Sequence, residues 1–247
     1  MSKPYFFISQ KNTNKNSVRI TGDDVGHIRK VLRLHKGDKV FCCDEKNVME
    51  VELVRLEKTE IEGSIKRKKI IIRPSNRIGI FPGLLKGKKF DTVLRMATEL
   101  GVDAIYPVEF KRNVKKKDKK KKERWEKIII EAAKQSKRTY LPVISLSLTF
   151  EEFIMELQEF QKIIVFWENA IGKDIKNYIG KNEESIAVII GPEGGLEKRE
   201  VDEMVRKGGV AVSLGENTLR AETAIIAALS LVMYESGRFE RNSADWR

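Results

Sequence analysis

Residues 186–224, IAVIIGPEGGLEKREVDEMVRKGGVAVSLGENTLRAETA, repeat one local pattern. A run of aliphatic residues ends in a glycine-containing turn, first at 191–195 and again around Gly215, and a helix-type segment follows each turn. The pattern predicts two strand–helix units of an open α/β sheet. The carboxyl ends of parallel strands share one sheet edge, where helix N-termini and free backbone N–H groups bind ligands. One such turn could be only a connection, but two on successive strands favour a binding site.

The composition and the cysteines narrow the class of protein. The chain has 247 residues, 41% of them hydrophobic, but no run of 18 apolar residues, so we predict a sizeable core and no membrane span. Cys42 and Cys43 are neighbours, which cannot form an ordinary disulfide. The only histidines, His27 and His35, lack the spacing of a metal pair. We therefore predict a cytoplasmic protein with reduced thiols and no metal.

Positive charge is concentrated in the first half of the chain. Residues 1–124 contain 32 lysines and arginines and 16 acidic residues. Residues 125–247 contain 16 lysines and arginines and 20 acidic residues. A polyanion such as RNA would therefore bind mainly to the first half. The densest basic run, 111–124, has two interpretations that stay open, a solvated loop or a phosphate-binding segment.

The first 73 residues have the short alternating runs of a small β-barrel. One amphipathic helix is predicted at 23–34, with Arg29, Lys30 and Arg33 on its basic face and Val31 on its apolar face. Pro74 and the changed pattern after it predict a linker at 73–76, and thus domains at 1–73 and 77–247. Strands of the barrel are predicted at 18–20, 39–42, 48–53 and 69–72.

The second domain alternates strands with helices, which predicts a mainly parallel α/β sheet. Thr149 and Glu152 have the spacing of a helix capping box, and Gly101 stands where a helix C-cap is expected. The last helix is apolar on nearly all sides, which predicts a core helix. Strands are predicted at 78–81, 104–108, 143–146, 163–167, 186–190 and 210–214. Helices are predicted at 86–100, 124–137, 149–160, 172–179, 196–207 and 221–235.

Three C-terminal segments resemble the signature of SPOUT methyltransferases. They are Ile-Gly-Pro-Glu-Gly-Gly at 190–195, Leu-Gly at 214–215 and Leu-Arg-Ala-Glu-Thr-Ala at 219–224. Within this superfamily the chain is similar to the bacterial 16S rRNA uridine N3-methyltransferases. The resemblance implies a C-terminal α/β domain with a deep trefoil knot that binds S-adenosylmethionine. It also implies a homodimer in which the helix at 221–235 is shared between core and interface.

Further segments extend the resemblance over nearly the whole chain. Residues 27–33, His-Ile-Arg-Lys-Val-Leu-Arg, resemble the main motif of the family's PUA-like N-terminal barrel. Residues 112–114 keep the arginine of an Arg-Ser-Val segment, and residues 135–138 match a Gln-Ser-Gly-Arg segment except at Lys137. The resemblance implies 16S rRNA in the small ribosomal subunit as the partner. The implied RNA-binding residues are Arg29, Lys30, Arg33, Arg112 and Arg138.

The implied donor site combines the two glycine turns with a third loop, which follows the strand predicted at 163–167. Backbone groups dominate such a site, because glycine lets a ligand lie against bare main chain. The implied cofactor-binding residues are Glu168, Ile190, Gly191, Pro192, Glu193, Gly194, Gly195, Leu214, Gly215, Thr218 and Leu219.

Methylation of uracil N3 requires an aligned methyl donor, loss of the N3 proton and exclusion of water. Arg220 could stabilise the negative charge that grows on the uracil carbonyl oxygens. Glu222 could act as the general base, or it could be only a first-turn acid favoured by the helix dipole. Glu193 has the same ambiguity.

Two alternative functions are consistent with these segments. One is another SPOUT enzyme, acting on tRNA or on a ribose 2′-OH. The other is a non-catalytic RNA-binding factor of ribosome assembly, against which the complete segment 219–223 argues.

Overall fold

The computed structural model describes residues 3–113, 121–171, 174–181 and 183–240. The chain divides into two units. The first comprises the residues up to Arg73 together with Ile130–Leu141, and the second comprises Pro74–Ile129 and Pro142–Arg247. Most of the basic run singled out above, residues 114–120, lies outside the described residues.

The first unit contains a five-stranded sheet of mixed direction, in the order β1-β3-β4-β5-β2. The strands alternate as expected, because Val18 and Ile20 of β2 are buried while the residue between them is exposed. The separate strand predicted at 69–72 is wrong. Residues 69 and 70 are instead the last two residues of a longer strand, which ends at Ile70. The strands are β1 (Tyr5–Phe7), β2 (Ser17–Thr21), β3 (Lys39–Cys43), β4 (Asn47–Leu56) and β5 (Glu60–Ile70).

The two cysteines belong to β3 and are free and buried. Burial, together with the neighbouring Asp44 carboxylate, raises the pKa of the Cys43 thiol to about 12. Burial also raises the pKa of Cys42. Both thiols are therefore protonated and unreactive at neutral pH.

The helix predicted at 23–34 is α-helical only in its first turn. α1 (Asp23–Gly26) continues into a π-helical turn, His27–Val31, where the Leu32 N–H donates to the His27 carbonyl over 2.9 Å. The i→i+5 hydrogen bond of a π-helical turn places more residues in the turn than an α-helix has, which shifts the faces that an α-helical pattern predicts. Val31, predicted on the apolar face, is consequently 68% exposed.

The second unit contains a parallel sheet, in the order β11-β9-β10-β6-β7-β8. The predicted α/β class with a parallel sheet is confirmed. Its strands are β6 (Arg77–Pro82), β7 (Ala104–Ile105), β8 (Val143–Ile144), β9 (Lys162–Phe166), β10 (Ser185–Ile190) and β11 (Val210–Val212). The helices that follow α1 are α2 (Lys88–Leu100), α3 (Lys121–Gln135), α4 (Phe150–Glu156), α5 (Lys198–Arg206) and α6 (Ala221–Glu235).

Buried aliphatic and aromatic residues on both faces of this sheet form the core. β10 is buried from Ile186 to Ile190, as expected for a parallel strand covered on both faces. α6 packs on α2 and β10, and Ile225 and Leu229 are fully buried. The predicted burial of α6 on all sides is wrong in part, because its Tyr234 is 70% exposed.

Local signals located several helix ends correctly. Thr149 and Glu152 form the predicted capping box at the start of α4, and Gly101 ends α2 with φ +105°. β7 is shorter than predicted because Pro107 has no N–H to continue the ladder, and Val108 makes only isolated bridges. Of the helix predicted at 172–179, the structure describes a 3-10 turn at Ile175–Asn177, while residues 172 and 173 lie outside the described part.

No helix in the described ranges is both long and apolar enough to cross a membrane. The trefoil knot that the resemblance implies stays a prediction.

Candidate functional site

A cavity of about 220 Å³ lies at the carboxyl ends of β9, β10 and β11, which are neighbours in the sheet. The segments 166–168, 190–195, 213–215 and 217–219 line it, together with Ala221 and Ala224 of α6. Pro192 and Leu214, which the sequence placed on successive strand–helix units, thus share one cavity. All the residues predicted to bind the cofactor line it: Glu168, Ile190, Gly191, Pro192, Glu193, Gly194, Gly195, Leu214, Gly215, Thr218 and Leu219.

The first glycine turn, residues 191–195, is packed closely against its neighbours. A Cβ atom on Gly83 would lie 2.4 Å from the Pro192 nitrogen, so the strand end and the turn approach each other backbone to backbone. The Arg112 Nη1 donates to the Gly194 carbonyl over 2.9 Å. Gly195 has φ +72° and lies against the Glu168 carboxylate, which a Cβ would meet at 2.7 Å. These contacts hold the turn in one conformation.

Glu200 stabilises the region that follows the first turn. Its side chain is buried and accepts hydrogen bonds from the Lys111 N–H and the Glu197 N–H, each over 2.8 Å. It thereby fixes the start of α5 beside the loop that carries Arg112. Glu200 was not among the predicted site residues, although the Glu197–Glu200 spacing is that of a capping box.

The second glycine turn, residues 213–218, is held differently. Gly215 has φ +104°, and no atom of the described residues lies within 4 Å of a Cβ built on it. The Ser213 hydroxyl accepts a hydrogen bond from the Gly215 N–H over 3.2 Å. Asn217 and Thr218 are exposed. This turn depends on its own backbone conformation more than on packing.

Arg220 and Glu222 stand at the start of α6, next to the cavity lining in sequence but not part of it. Arg220 is the N-cap residue and its side chain is exposed. Glu222 is mostly buried, and its Oε2 atom has no hydrogen-bond partner among the described residues. The Lys89 Nζ lies 3.8 Å from this Oε2 and 3.7 Å from the Glu193 Oε1.

Several lining residues were not predicted, although each adjoins a predicted segment. Trp167 is the most informative, because its indole N–H is buried and lacks a hydrogen-bond partner in the described part of the chain. The sequence signal that could have identified Trp167 is its position at a strand end, beside a predicted loop. The residues are Phe166, Trp167, Ser213, Asn217, Ala221 and Ala224.

The residues predicted to bind RNA are in different environments. Arg29, Lys30 and Arg33 are exposed on or just after the π-helical turn of the first unit. Arg112 belongs to the second unit and is engaged with the first glycine turn. Arg138 is 9% exposed and its guanidinium lies 4.7 Å from the centre of the Tyr140 ring. A side chain this buried offers little surface to RNA.

Comparisons with known proteins connect this site to a family. Residues 73–233 match the family model described as an RNA methyltransferase domain, and residues 20–66 match the one described as an RNA methyltransferase PUA domain. The chain is 34% identical to the ribosomal RNA small subunit methyltransferase E of Bacillus subtilis, over 88% of this chain and 90% of that protein. It is 31% identical to the protein of the same name from Mesomycoplasma hyopneumoniae, over 91% of this chain and 96% of that protein.

A solved structure has the same fold over nearly its whole length. It is a ribosomal RNA small subunit methyltransferase E from Neisseria gonorrhoeae bound to S-adenosyl methionine. The two chains are 27% identical with a TM-score of 0.84, and the match covers 94% of this chain and 98% of the other.

Proposed function

Because the chain belongs to the ribosomal RNA small subunit methyltransferase E family, we propose that it methylates N3 of one uridine in 16S rRNA with S-adenosylmethionine as the donor. The cavity at the ends of β9, β10 and β11 carries this proposal, because it unites both glycine turns with the Glu168 loop. The coarser function, methylation of small-subunit rRNA, follows from the family. The choice of uracil N3 rests on the resemblance described above.

The cavity fits S-adenosylmethionine on three physical grounds. Ile190, Leu214 and Leu219 supply apolar surface for a flat ring. The glycines at 191–195 expose backbone groups for polar contacts. The buried Trp167 N–H needs an acceptor, which a polar ligand group would provide. When bound, the donor supplies a methyl group on a positively charged sulfur.

The start of α6 supplies the groups that handle charge and protons on the uracil. The Arg220 guanidinium is exposed and available to the carbonyl oxygens, where negative charge grows as N3 loses its proton. The Glu222 Oε2 has unused acceptor capacity and is the group we assign to the N3 proton. The dipole of α6 favours an acidic residue at this end of the helix whether or not that residue acts as the base.

Binding of the small ribosomal subunit is assigned to the exposed bases of the first unit. Arg29, Lys30 and Arg33 contact phosphates, which requires charge but little fixed geometry. Arg112 supports the first glycine turn and reaches RNA only with the part of its side chain left exposed. We omit Arg138 from this surface because of its burial. The domain limits 1–73 and 77–247 remain part of the proposal.

The assembly is proposed as a homodimer in the cytoplasm. α6 exposes Leu231 and Tyr234 although most of the helix is apolar and buried. An exposed apolar strip on a core helix is typical of a subunit interface. Sedimentation of the purified protein at micromolar concentration tests this part, since a single monomeric species would contradict it.

The direct test uses small ribosomal subunits from a strain without the corresponding modification. The subunits are incubated with the protein and isotopically labelled S-adenosylmethionine, and the RNA is digested and analysed by nucleoside mass spectrometry. We expect label in 3-methyluridine of 16S rRNA. Label in a 2′-O-methylnucleoside, or only with tRNA as substrate, would point to another SPOUT activity. Donor binding without label in any RNA would favour the assembly factor.

A further inference from the structure

We infer that Lys89 is a positioning residue for methyl transfer, because its ammonium group joins the first glycine turn to the start of α6. The Nζ atom lies 3.7 Å from the Glu193 Oε1 and 3.8 Å from the Glu222 Oε2. Glu193 belongs to the wall of the cavity, whereas Glu222 is the proposed base. This inference rests on the proposed function and adds a residue that neither faces the cavity nor belongs to its three loops.

The start of α2 and the residues just before it bind Glu193. The Lys86 N–H donates to the Glu193 Oε1 over 3.1 Å. Gly87, with φ +59°, bends the chain before α2 begins. Because of this bend, a backbone N–H and the Lys89 ammonium converge on one carboxylate. Glu193 therefore fastens the first glycine turn to α2, and its presence in the turn has a structural reason besides any contact with the donor.

Glu222 depends on the same ammonium group. Its Oε2 is buried and has no hydrogen-bond partner within the described ranges, and its side chain is 22% exposed. A buried carboxylate oxygen is costly in free energy unless a positive charge lies nearby. Lys89 provides that charge at 3.8 Å, which is too far for a hydrogen bond. The oxygen thus lies next to a positive charge while its capacity to accept a hydrogen bond stays unused.

An ordinary surface ion pair on the same unit shows what is different here. Lys198 pairs with Asp202 one turn further along α5, and the two side chains are 75% and 50% exposed. Such exposed ion pairs contribute little to the stability of the folded protein. The partners of Lys89 are more buried, at 25% and 22%, and come from two separate segments, so the ammonium group crosslinks elements that have no covalent connection nearby.

The experiment compares Lys89→Met, Lys89→Arg and Lys198→Met in the full chain. Both methionine variants lose one positive charge, so a general weakening of RNA binding is common to both. Donor affinity is measured by calorimetry, and kcat and KM are measured with unmodified small subunits. For Lys89→Met we expect kcat to fall about tenfold or more and the donor Kd to rise about fivefold, with KM for RNA changed as in Lys198→Met. Lys89→Arg should recover most of kcat.

A double substitution tests whether Lys89 acts through Glu222. In a Glu222→Gln background, Lys89→Met should lower kcat no more than about twofold, because the group it positions is already gone. The inference would be overturned if the reductions in kcat caused by Lys89→Met and Glu222→Gln multiply in the double variant. It would also be overturned if Lys89→Met has the same kcat as Lys198→Met. Absence of donor binding and of methyl transfer in the unsubstituted protein would instead defeat the proposed function.

Discussion

The two glycine turns look alike in sequence but are stabilised by different means. The first, 191–195, is enclosed by other parts of the second unit: Gly83 touches its backbone, Arg112 binds a carbonyl of it, and Glu193 is fastened to α2. The second, 213–218, is open, and Gly215 has no close neighbour among the described residues. Lack of space excludes side chains from the first turn, where Gly195 is also left-handed, whereas in the second turn only the left-handed backbone of Gly215 requires glycine.

This difference suggests that the two glycine turns have different functions. A turn fixed by packing is suited to hold one ligand in one position. A turn held mainly by its own backbone, followed at once by Arg220 and Glu222, can adjust when a large substrate arrives. We therefore expect substitutions at the first turn to affect donor binding, and substitutions just after the second turn to affect turnover.

The largest effect is expected from Arg220→Ala. Removing one donor aimed at a developing oxyanion lowers kcat by about 100- to 1,000-fold in comparable sites. The donor Kd should stay within about twofold, because Arg220 does not line the cavity. Single-turnover methylation and calorimetry on the same preparation measure the two quantities. Full activity of Arg220→Ala would remove this residue from the mechanism.

Gly83→Ala should have the next largest effect, although Gly83 does not line the cavity. The new Cβ would lie 2.4 Å from the Pro192 nitrogen, and backbone cannot rotate away as a side chain can. Overpacking of this kind costs about 1–3 kcal/mol, so the donor Kd should rise about 10- to 100-fold if the turn is displaced. Calorimetry with S-adenosylmethionine measures the change.

Gly180→Ala is the matched control for that experiment. Gly180 lies in the second unit, its φ is not left-handed, and no atom of the described residues lies within 4 Å of the place that the alanine methyl group would take. Its donor Kd should equal that of the unsubstituted protein. A Gly83→Ala protein that binds the donor equally well would show that the first turn is not held by lack of space.

Periodicity located most strands and helices of the second unit but was insufficient for parts of the first. β10 is a continuous aliphatic run followed by glycine, so both the strand and the loop after it could be predicted from the sequence. β5 was mostly missed because residues 66–69 are all basic and give no apolar alternation. The π-helical turn at His27–Val31 could not be predicted, since the same residues have a regular α-helical pattern.

The contacts of the site were less predictable than its loops. The convergence of Pro192 and Leu214 followed from placing both turns at the carboxyl ends of strands in one parallel sheet. The salt bridges of Lys89 and the hydrogen bonds of Glu200 join segments that are far apart along the chain, and no local pattern encodes them. Arg138 was assigned to RNA from the resemblance, but its environment depends on Tyr140 and on burial, which a motif does not specify.

The smallest effect is expected from Gly215→Ala, and it separates strain from packing. At φ +104° an alanine is strained by about 1–2 kcal/mol even in open space. Gly208→Ala is the matched control, because Gly208 has φ +91° and equally open surroundings in the described structure but does not line the cavity. Both variants should lose about the same free energy of unfolding, measured with denaturant.

Only Gly215→Ala should also weaken donor binding, by about tenfold, because its turn can relieve the strain by shifting a wall of the cavity. Gly215→Asn should bind better than Gly215→Ala, since asparagine adopts left-handed conformations more readily. Equal donor affinity in the Gly215→Ala and Gly208→Ala proteins would mean that the second turn holds its shape without Gly215. The contrast between a packed turn and an adjustable one would then have to be given up, because both turns would be rigid.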